Sequence, residues 1–421
     1  MTTNWAGSFT FTADRVESPT SVDGVRRAVA AAERAHVLGA GHSFSRVADT
    51  TGTLIRLDAL PEVFDLGPDT VRVSAGTRLA GLAERLHAKG FALPALPSLP
   101  HVTVAGAVAT GTHGSGDAVG TLADLVRSLD LVTADGDLVT YRRGEAADLQ
   151  AASPAATESR QSHTDFDGVV VSLGALGVVV ALELAVVPTF DVEQRVVADV
   201  PLAALVERFD DVFAAAHSVS AFTTWDGTAR VWVKRRVGDP PADLAWTGGH
   251  DATAPLHPVP GRPAHHCTAQ LGEPGPWHER LPHFRADFTP SVGRELQSEY
   301  FVPREHAAAA LAALARLDFG DLLLTSEIRT IAADQQWLSP TSGRASAAFH
   351  FTWRQDDAVH AELARIEDAL APWRPRAHWG KLSTRPGDYP GLPRFARLRA
   401  ALDPAGKFRN ATLDGWLSPA L

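Results

Sequence analysis

VLGAGHSFS, residues 37–45, is an apolar run that breaks at Gly39 and Gly41 and ends on a histidine, His42. Glycines at those two positions let the backbone bend tightly and turn its N–H groups toward a phosphate, because no Cβ stands in the way. Serines on either side of Phe44 add hydroxyl donors. The stretch does not read as a dinucleotide fingerprint. Its third glycine is missing, Phe44 stands near where that glycine would fall, and the chain continues without an amphipathic helix. Instead it enters TLIRLDAL (53–60), a second strand-like run. The unit therefore reads as strand, phosphate-cradling turn, strand, in which His42 either hydrogen-bonds the turn or carries a ligand.

A chain of 421 residues exceeds one small core; at roughly 150 residues per domain it divides into two or three. The formal charge is -10 and the basic residues are dispersed, which argues against nucleic acid as a partner. The single cysteine, Cys267, excludes an intrachain disulfide and is compatible with a reducing compartment. The first residues lack a basic start and an apolar core, so no signal peptide and a cytoplasmic location are expected. The longest apolar run, 169–187, is interrupted by Gly174, Gly177 and Glu183 and is rich in valine. Two buried strands joined by the SLGALG turn are expected there, not a membrane span.

Along the chain, residues 4–12 alternate as an opening strand, and 22–34 have helical spacing with a serine and an aspartate as cap candidates. Residues 71–94 read as strand, turn, helix and exit, with Gly90 as the helix C-cap. The run 98–116 is rich in Gly, Thr and Ala yet too apolar at Val102, Val104 and Val108 for a solvated loop. An Asp-Gly turn inside 125–143 predicts a hairpin. Residues 145–168, dominated by Ala, Ser and acidic residues, read as a flexible surface insertion. Beyond Pro188 the elements lengthen: 191–201, 222–236 and 295–303 as strands, 201–217 and 303–317 as helices. His265, His266 and Cys267 are not expected to hold a metal. Adjacent residues of an extended chain face opposite sides, and no second ligand pair stands at a structural-zinc spacing.

Two later strand-like runs carry a polar face. In LLLTSEIRTIA (322–332) alternation groups Thr325, Glu327 and Arg329; in AAFHFTW (347–353) it groups His350 and Thr352. Pattern alone leaves a solvated sheet face and a buried cavity wall equally open. PRAHWGKLST (375–384) adds Lys381, a residue type that usually lies on the surface with its stem packed down.

The first turn resembles the pyrophosphate loop of vanillyl-alcohol oxidase type FAD proteins. EIRT, HFTW and HWGK, with SLPH and AGAVATGTHGSG upstream and PGPWHERLPHFR and DPAGKFRN elsewhere, closely resemble the alditol oxidases. That resemblance implies an α+β fold: a two-part FAD-binding domain (1–187), an antiparallel-sheet cap domain for substrate (188–375), and a C-terminal segment (376–421) that completes the site and returns to the FAD domain. It implies FAD covalently attached through His42 and cradled by three segments. The first is Gly39, Ala40, Gly41, His42, Ser43 and Phe44. The second spans Pro97, Ser98, Thr103, Val104, Ala105, Gly106, Ala109, Thr110, His113 and Gly114, and the third Gly174, Gly177 and Val178. Ser98, Glu327, Arg329, His350, Thr352 and Lys381 would line the substrate site. His350, assisted by Lys381, would be the base, with Glu327 and Arg329 anchoring the substrate.

The implied reaction is oxidation of the terminal CH–OH of polyols such as xylitol and sorbitol to aldoses. Hydride would pass to flavin N5 and dioxygen would be reduced to hydrogen peroxide, in a monomer with no partner but polyol and oxygen. The residue types suit such a substrate, since a row of neutral hydroxyls requires mixed donors and acceptors. Two features depart from the family: the long 145–168 connection, and Pro97 in place of an alanine. Three rival readings are an aldonolactone oxidoreductase on the same fold, a flavin-free sugar-binding protein, and an NAD-linked dehydrogenase.

Overall fold

The computed structural model describes residues 2–144, 148–150, 165–288 and 294–417. It is an α+β structure built on two major sheets. In the first half, β1 (Arg15–Glu17), β2 (Ala35–Leu38) and β3 (Thr53–Arg56) form a parallel sheet in the order β1-β3-β2. Beside it lies an antiparallel six-stranded sheet. Its strands are β4 (Phe64–Leu66), β5 (Thr70–Ser74), β7 (Val126–Val132), β8 (Leu138–Arg142), β9 (Asp148–Gln150) and β10 (Val178–Ala185), in the order β4-β5-β10-β7-β8-β9. A small pair, β6 (Phe91–Ala92) with β11 (Val187–Pro188), adjoins it.

Helix α1 (Val22–Ala31) starts where Ser21 accepts a hydrogen bond from the Gly24 N–H, and it buries Val25, Ala28 and Val29. Helix α2 (Leu79–Ala88) buries Leu79, Leu82, Ala83 and Leu86. It is closed by Gly90, at φ +84, a conformation that costs glycine little. The C-terminal helices α9 (Leu392–Leu402) and α10 (Ala411–Leu417) return to this half, where Phe395, Leu398, Leu413 and Leu417 join the same apolar core.

The second half is an antiparallel sheet of nine strands. They are β12 (Asp191–Pro201), β13 (Ser218–Thr223), β14 (Thr228–Arg236), β15 (His250–Asp251), β16 (Pro274–Pro276), β17 (Glu295–Pro303), β18 (Leu323–Ile331), β19 (Ser346–Arg354) and β20 (Arg376–Ala377). The order is β15-β12-β14-β13-β18-β19-β17-β20, with β16 on β12. Helices α5 (Leu202–Glu207), α6 (Phe209–Phe213), α7 (Ala307–Leu314) and α8 (Val359–Leu370) contribute Phe209, Leu311 and Ile366 to one core with Ile328, Phe349 and Phe351 of the sheet. Alternation then leaves Thr325, Glu327 and Arg329 of β18 and His350 and Thr352 of β19 on the opposite face.

Four sequence expectations are corrected. Residues 4–12 form no strand, because the Asn4 side chain accepts from the N–H groups of Ser8 (2.9 Å) and Phe9 (3.3 Å) and closes a loop. The first of the two strands expected around SLGALG is a single helical turn, α4 (Phe166–Val170). There Gly168 sits so close to Trp337 that an added Cβ would come within 2.6 Å of the ring. The helix expected over 201–217 breaks at Arg208 into α5 and α6, and 222–236 turns at Trp225, φ +64, into the β13–β14 hairpin. Most of the 145–168 insertion lies outside the described residues. Among the described residues, no helix is long and apolar enough to cross a membrane.

Candidate active site

A cavity of about 560 Å3 lies between the two halves. Its floor begins where β2 ends: Gly39, Ala40, Gly41, His42, Ser43 and Phe44 line it in succession. Gly41 takes φ +70, and its carbonyl accepts from the Trp5 N–H at 2.7 Å. Pro97, Ser98, Thr103, Ala105, Gly106, Ala109, Thr110 and His113 extend it, several of them on α3 (Val104–Ala109). Gly106 lies against Thr103, so that a Cβ there would meet its hydroxyl at 2.9 Å. Gly174, at φ +72, and Gly177 complete the floor.

Val104, Gly114 and Val178, expected among the cradle residues, are not on the wall. Val104 and Val178 belong to the apolar core, and alternation along β10 turns Val179 inward instead. An added Cβ on Gly114 would meet the Leu96 carbonyl oxygen at 2.8 Å.

His42 lies beside Trp5, with ring centroids 4.5 Å apart, and edge-on to Phe44 at 6.2 Å. Burial, reinforced by the charge of Lys381, pulls its pKa down to about 4, so the imidazole is neutral at pH 7. A glycine turn on the wall, small side chains along the floor and a neutral histidine fit an FAD.

The roof is the polar face of the large sheet, so the choice between solvated face and cavity wall resolves to a wall. Thr325, Glu327, Arg329, His350 and Thr352 are all buried and all line the cavity. Register organises them into rows. Phe222, Glu327, His350 and Glu299 are direct cross-strand neighbours on β13, β18, β19 and β17, and Thr325, Thr352 and Gln297 form the next row. Ser98 rises from the floor, its hydroxyl 3.5 Å from Glu327 Oε2. Lys381 arrives on the segment after β20, held by the Lys381 N–H donating to the His378 carbonyl and the Leu382 N–H to that of Gln297.

Charges in this space are paired. Glu299, fully buried, accepts from Arg329 and, at 2.8 Å, from Lys381 Nζ, with His113 Nε2 at 3.5 Å. Burial alone would raise its carboxyl pKa, but Arg329, Lys381 and His113 together hold it well below the usual carboxylate range. Glu327 behaves alike: burial is outweighed by Arg329, His283 and His350. His283 Nε2 lies 2.9 Å from Glu327 Oε1.

His350 is enclosed between Lys381 Nζ, 2.8 Å from Nδ1, and the Thr352 hydroxyl, 3.0 Å from Nε2. Burial and then the Lys381 charge take its pKa down to about 3. An imidazole so acidic when protonated is a weak base alone. Lys381 is half-buried, and desolvation there lowers its ammonium pKa.

Sequence reading missed Glu299, His283 and His378, which line the same cavity. The signal for Glu299 was present, since alternation in ELQSEYFVP puts Glu295, Gln297 and Glu299 on one face. His265 and His266 do not face opposite sides. The chain turns there, Cys267 N–H donating to Ala264 O, and their rings stand 3.8 Å apart at the cavity mouth.

A family model described as FAD binding domain matches residues 13–142, and one described as D-arabinono-1,4-lactone oxidase matches 290–416. The chain is 48% identical to the alditol oxidase of a Streptomyces species over 98% of this chain and 97% of that one. It is 26% identical to the L-gulono-1,4-lactone dehydrogenase of Mycobacterium tuberculosis, over 97% and 96%. Among solved structures, a cholesterol oxidase from Brevibacterium sterolicum superposes with a TM-score of 0.73 over 99% of this chain and 96% of that one. At 14% identity, that likeness concerns the fold alone. Glycine cradle, polar roof and near-full-length identity converge, and the chain belongs to the alditol oxidase family of FAD-dependent oxidoreductases.

Proposed function

We propose that the protein oxidises the terminal CH–OH of alditols such as xylitol and sorbitol to the aldose, with dioxygen reduced to hydrogen peroxide, and that His42 holds the FAD covalently. The observation that carries this reading is the roof itself. The buried donors and acceptors of its two adjacent rows, Glu327, His350, Glu299, Thr325 and Thr352, suit a chain of neutral hydroxyls and penalise an analogue that leaves one of them unmet.

Held by the glycine floor and His42, FAD would supply the hydride acceptor and the onward route of the electrons to dioxygen. The protein does the rest. Glu327 Oε2 and the Ser98 hydroxyl, on facing walls, orient the substrate between roof and floor. Arg329 holds Glu327 and Glu299 ionised. The alcohol proton goes to the Lys381–His350 pair acting as a unit, because the imidazole alone is too weakly basic and a lysine with lowered pKa sits 2.8 Å from it. The remaining ammonium character stabilises the developing alkoxide.

A peroxide assay across glycerol, xylitol, sorbitol and mannitol tests the reading, with L-gulono-1,4-lactone alongside. The lactone arm answers the family match over 290–416. Turnover of the lactone with no turnover of any alditol would replace alditol oxidation with the lactone reaction.

For the flavin bond, the expected result is that yellow colour stays with the acid-precipitated parent chain and appears in the supernatant of His42→Ala. Colour released from both would rule out attachment at His42.

A further inference from the structure

Lys234, in the middle of β14, is a lysine with 1% exposure, a placement that this residue type almost never takes without partners. It lies one layer back from the cavity, and the proton and hydride transfers do not use it. Its Nζ donates to the Leu281 carbonyl and, at 3.3 Å, to that of Pro282, and stands 3.4 Å from His283 Nδ1. Three acceptors match the three N–H bonds of an ammonium, which has no lone pair to accept with. His283 Nδ1 must then be the unprotonated nitrogen. The neutral ring therefore carries its proton on Nε2, which faces Glu327 Oε1 at 2.9 Å.

We propose that Lys234 is a positioning residue for substrate recognition: it fixes His283 in the tautomer that donates to Glu327, and so leaves Glu327 Oε2 oriented to accept a substrate hydroxyl. This inference rests on the alditol reading and deepens it. Every link is buried, so water does not stand in for a missing one. Burial brings the Lys234 pKa down to about 7. Glu327 and Cys267 act in the opposite sense to that burial, and Arg329 adds to it. Burial likewise takes His283 to about 4, which keeps its ring neutral. Without the ammonium, the Glu327 carboxylate alone is left to hold the imidazole proton on Nε2, and Nδ1 loses the donor that fixes it as an acceptor. A ring protonated on Nδ1 sets a lone pair against the Glu327 carboxylate, two acceptors face to face.

The test is the flavin-loaded enzyme carrying Lys234→Met, which keeps the stem and removes the donor. The KM for xylitol is expected to rise about ten- to hundredfold, the equivalent of one buried unpaired group, with kcat within about twofold of the parent. In 15N-histidine-labelled protein, one imidazole should lose its Nε2-protonated signature, a change that loosened packing does not produce. In a Glu327→Gln background the lysine change should add nothing to KM. A parental KM, a parental imidazole spectrum, or additive losses in the double variant each overturn the inference.

If Lys234→Met does not fold, His283→Gln and His283→Phe decide. Glutamine offers a donor to Glu327 and an acceptor to Lys234, so KM should stay within about threefold, whereas phenylalanine should raise it as far as Lys234→Met. A parental KM in His283→Phe sinks the proposal. A parent that turns over no alditol removes the function reading and this one with it. A parent that does, beside an unchanged Lys234→Met, removes this one alone.

Discussion

Replacing Lys381 by methionine is expected to lower kcat for xylitol about a thousandfold, within the range of a lost general base together with lost charge stabilisation. FAD should stay bound and KM should change far less. The ammonium nitrogen touches both His350 Nδ1 and Glu299 Oε2 at 2.8 Å, so its removal leaves the imidazole without a proton-sharing partner. The pH profile sharpens the test. Burial favours the uncharged amine, and the un-ionised fraction of a lysine with lowered pKa grows as pH rises. Parental kcat/KM should therefore climb with pH along a limb whose apparent pKa lies below the ordinary lysine value of about 10.4 and belongs to the pair. Lys381→Met should lose that limb. A variant that keeps it would move the proton acceptor elsewhere.

The second large effect is on stability. Glu299→Gln keeps the side-chain shape but leaves buried Arg329 and half-buried Lys381 without their shared counter-charge, and breaking a buried pair such as Arg329–Glu299 costs about 3–5 kcal/mol. Urea unfolding of the FAD-loaded protein should show the loss directly as a lower midpoint. Its pH dependence has a defined sign. A carboxyl held well below its usual range in the folded state contributes stability above the unfolded value of about 4.3, lost as pH falls through the folded pKa. Glu299→Gln should therefore narrow the gap to the parent in acid. A constant gap from pH 7 down to 3, or an unchanged midpoint, would show that the carboxylate does not hold the two cations.

How far the site could be read from the sequence depended on the physics of alternation. Glu327, Arg329, His350 and Thr352 were legible because a strand that sends polar side chains to one face and Ile328, Phe349 and Phe351 to the other declares its own geometry. Whether that face was wet or buried was not legible, since the answer depends on a floor contributed by residues more than 200 positions away. Glu299 went unnoticed for a different reason. Its strand was recognised, but its charge acquires meaning only when register sets it beside His350. Asn4 misled for a local reason, a side chain competing for backbone N–H groups, and Gly168 for a distant one, the Trp337 ring packed against it.

The row Phe222–Glu327–His350–Glu299 spans four strands at a single register level. A one-residue insertion or deletion within β18 or β19 would send each carboxylate and imidazole downstream of it to the helix-covered side. Descendants of this enzyme can thus acquire new substrates by exchanging side chains in place, or by rebuilding the loop that carries His257, Arg262 and His266 at the cavity mouth, while the lengths of the central strands are frozen.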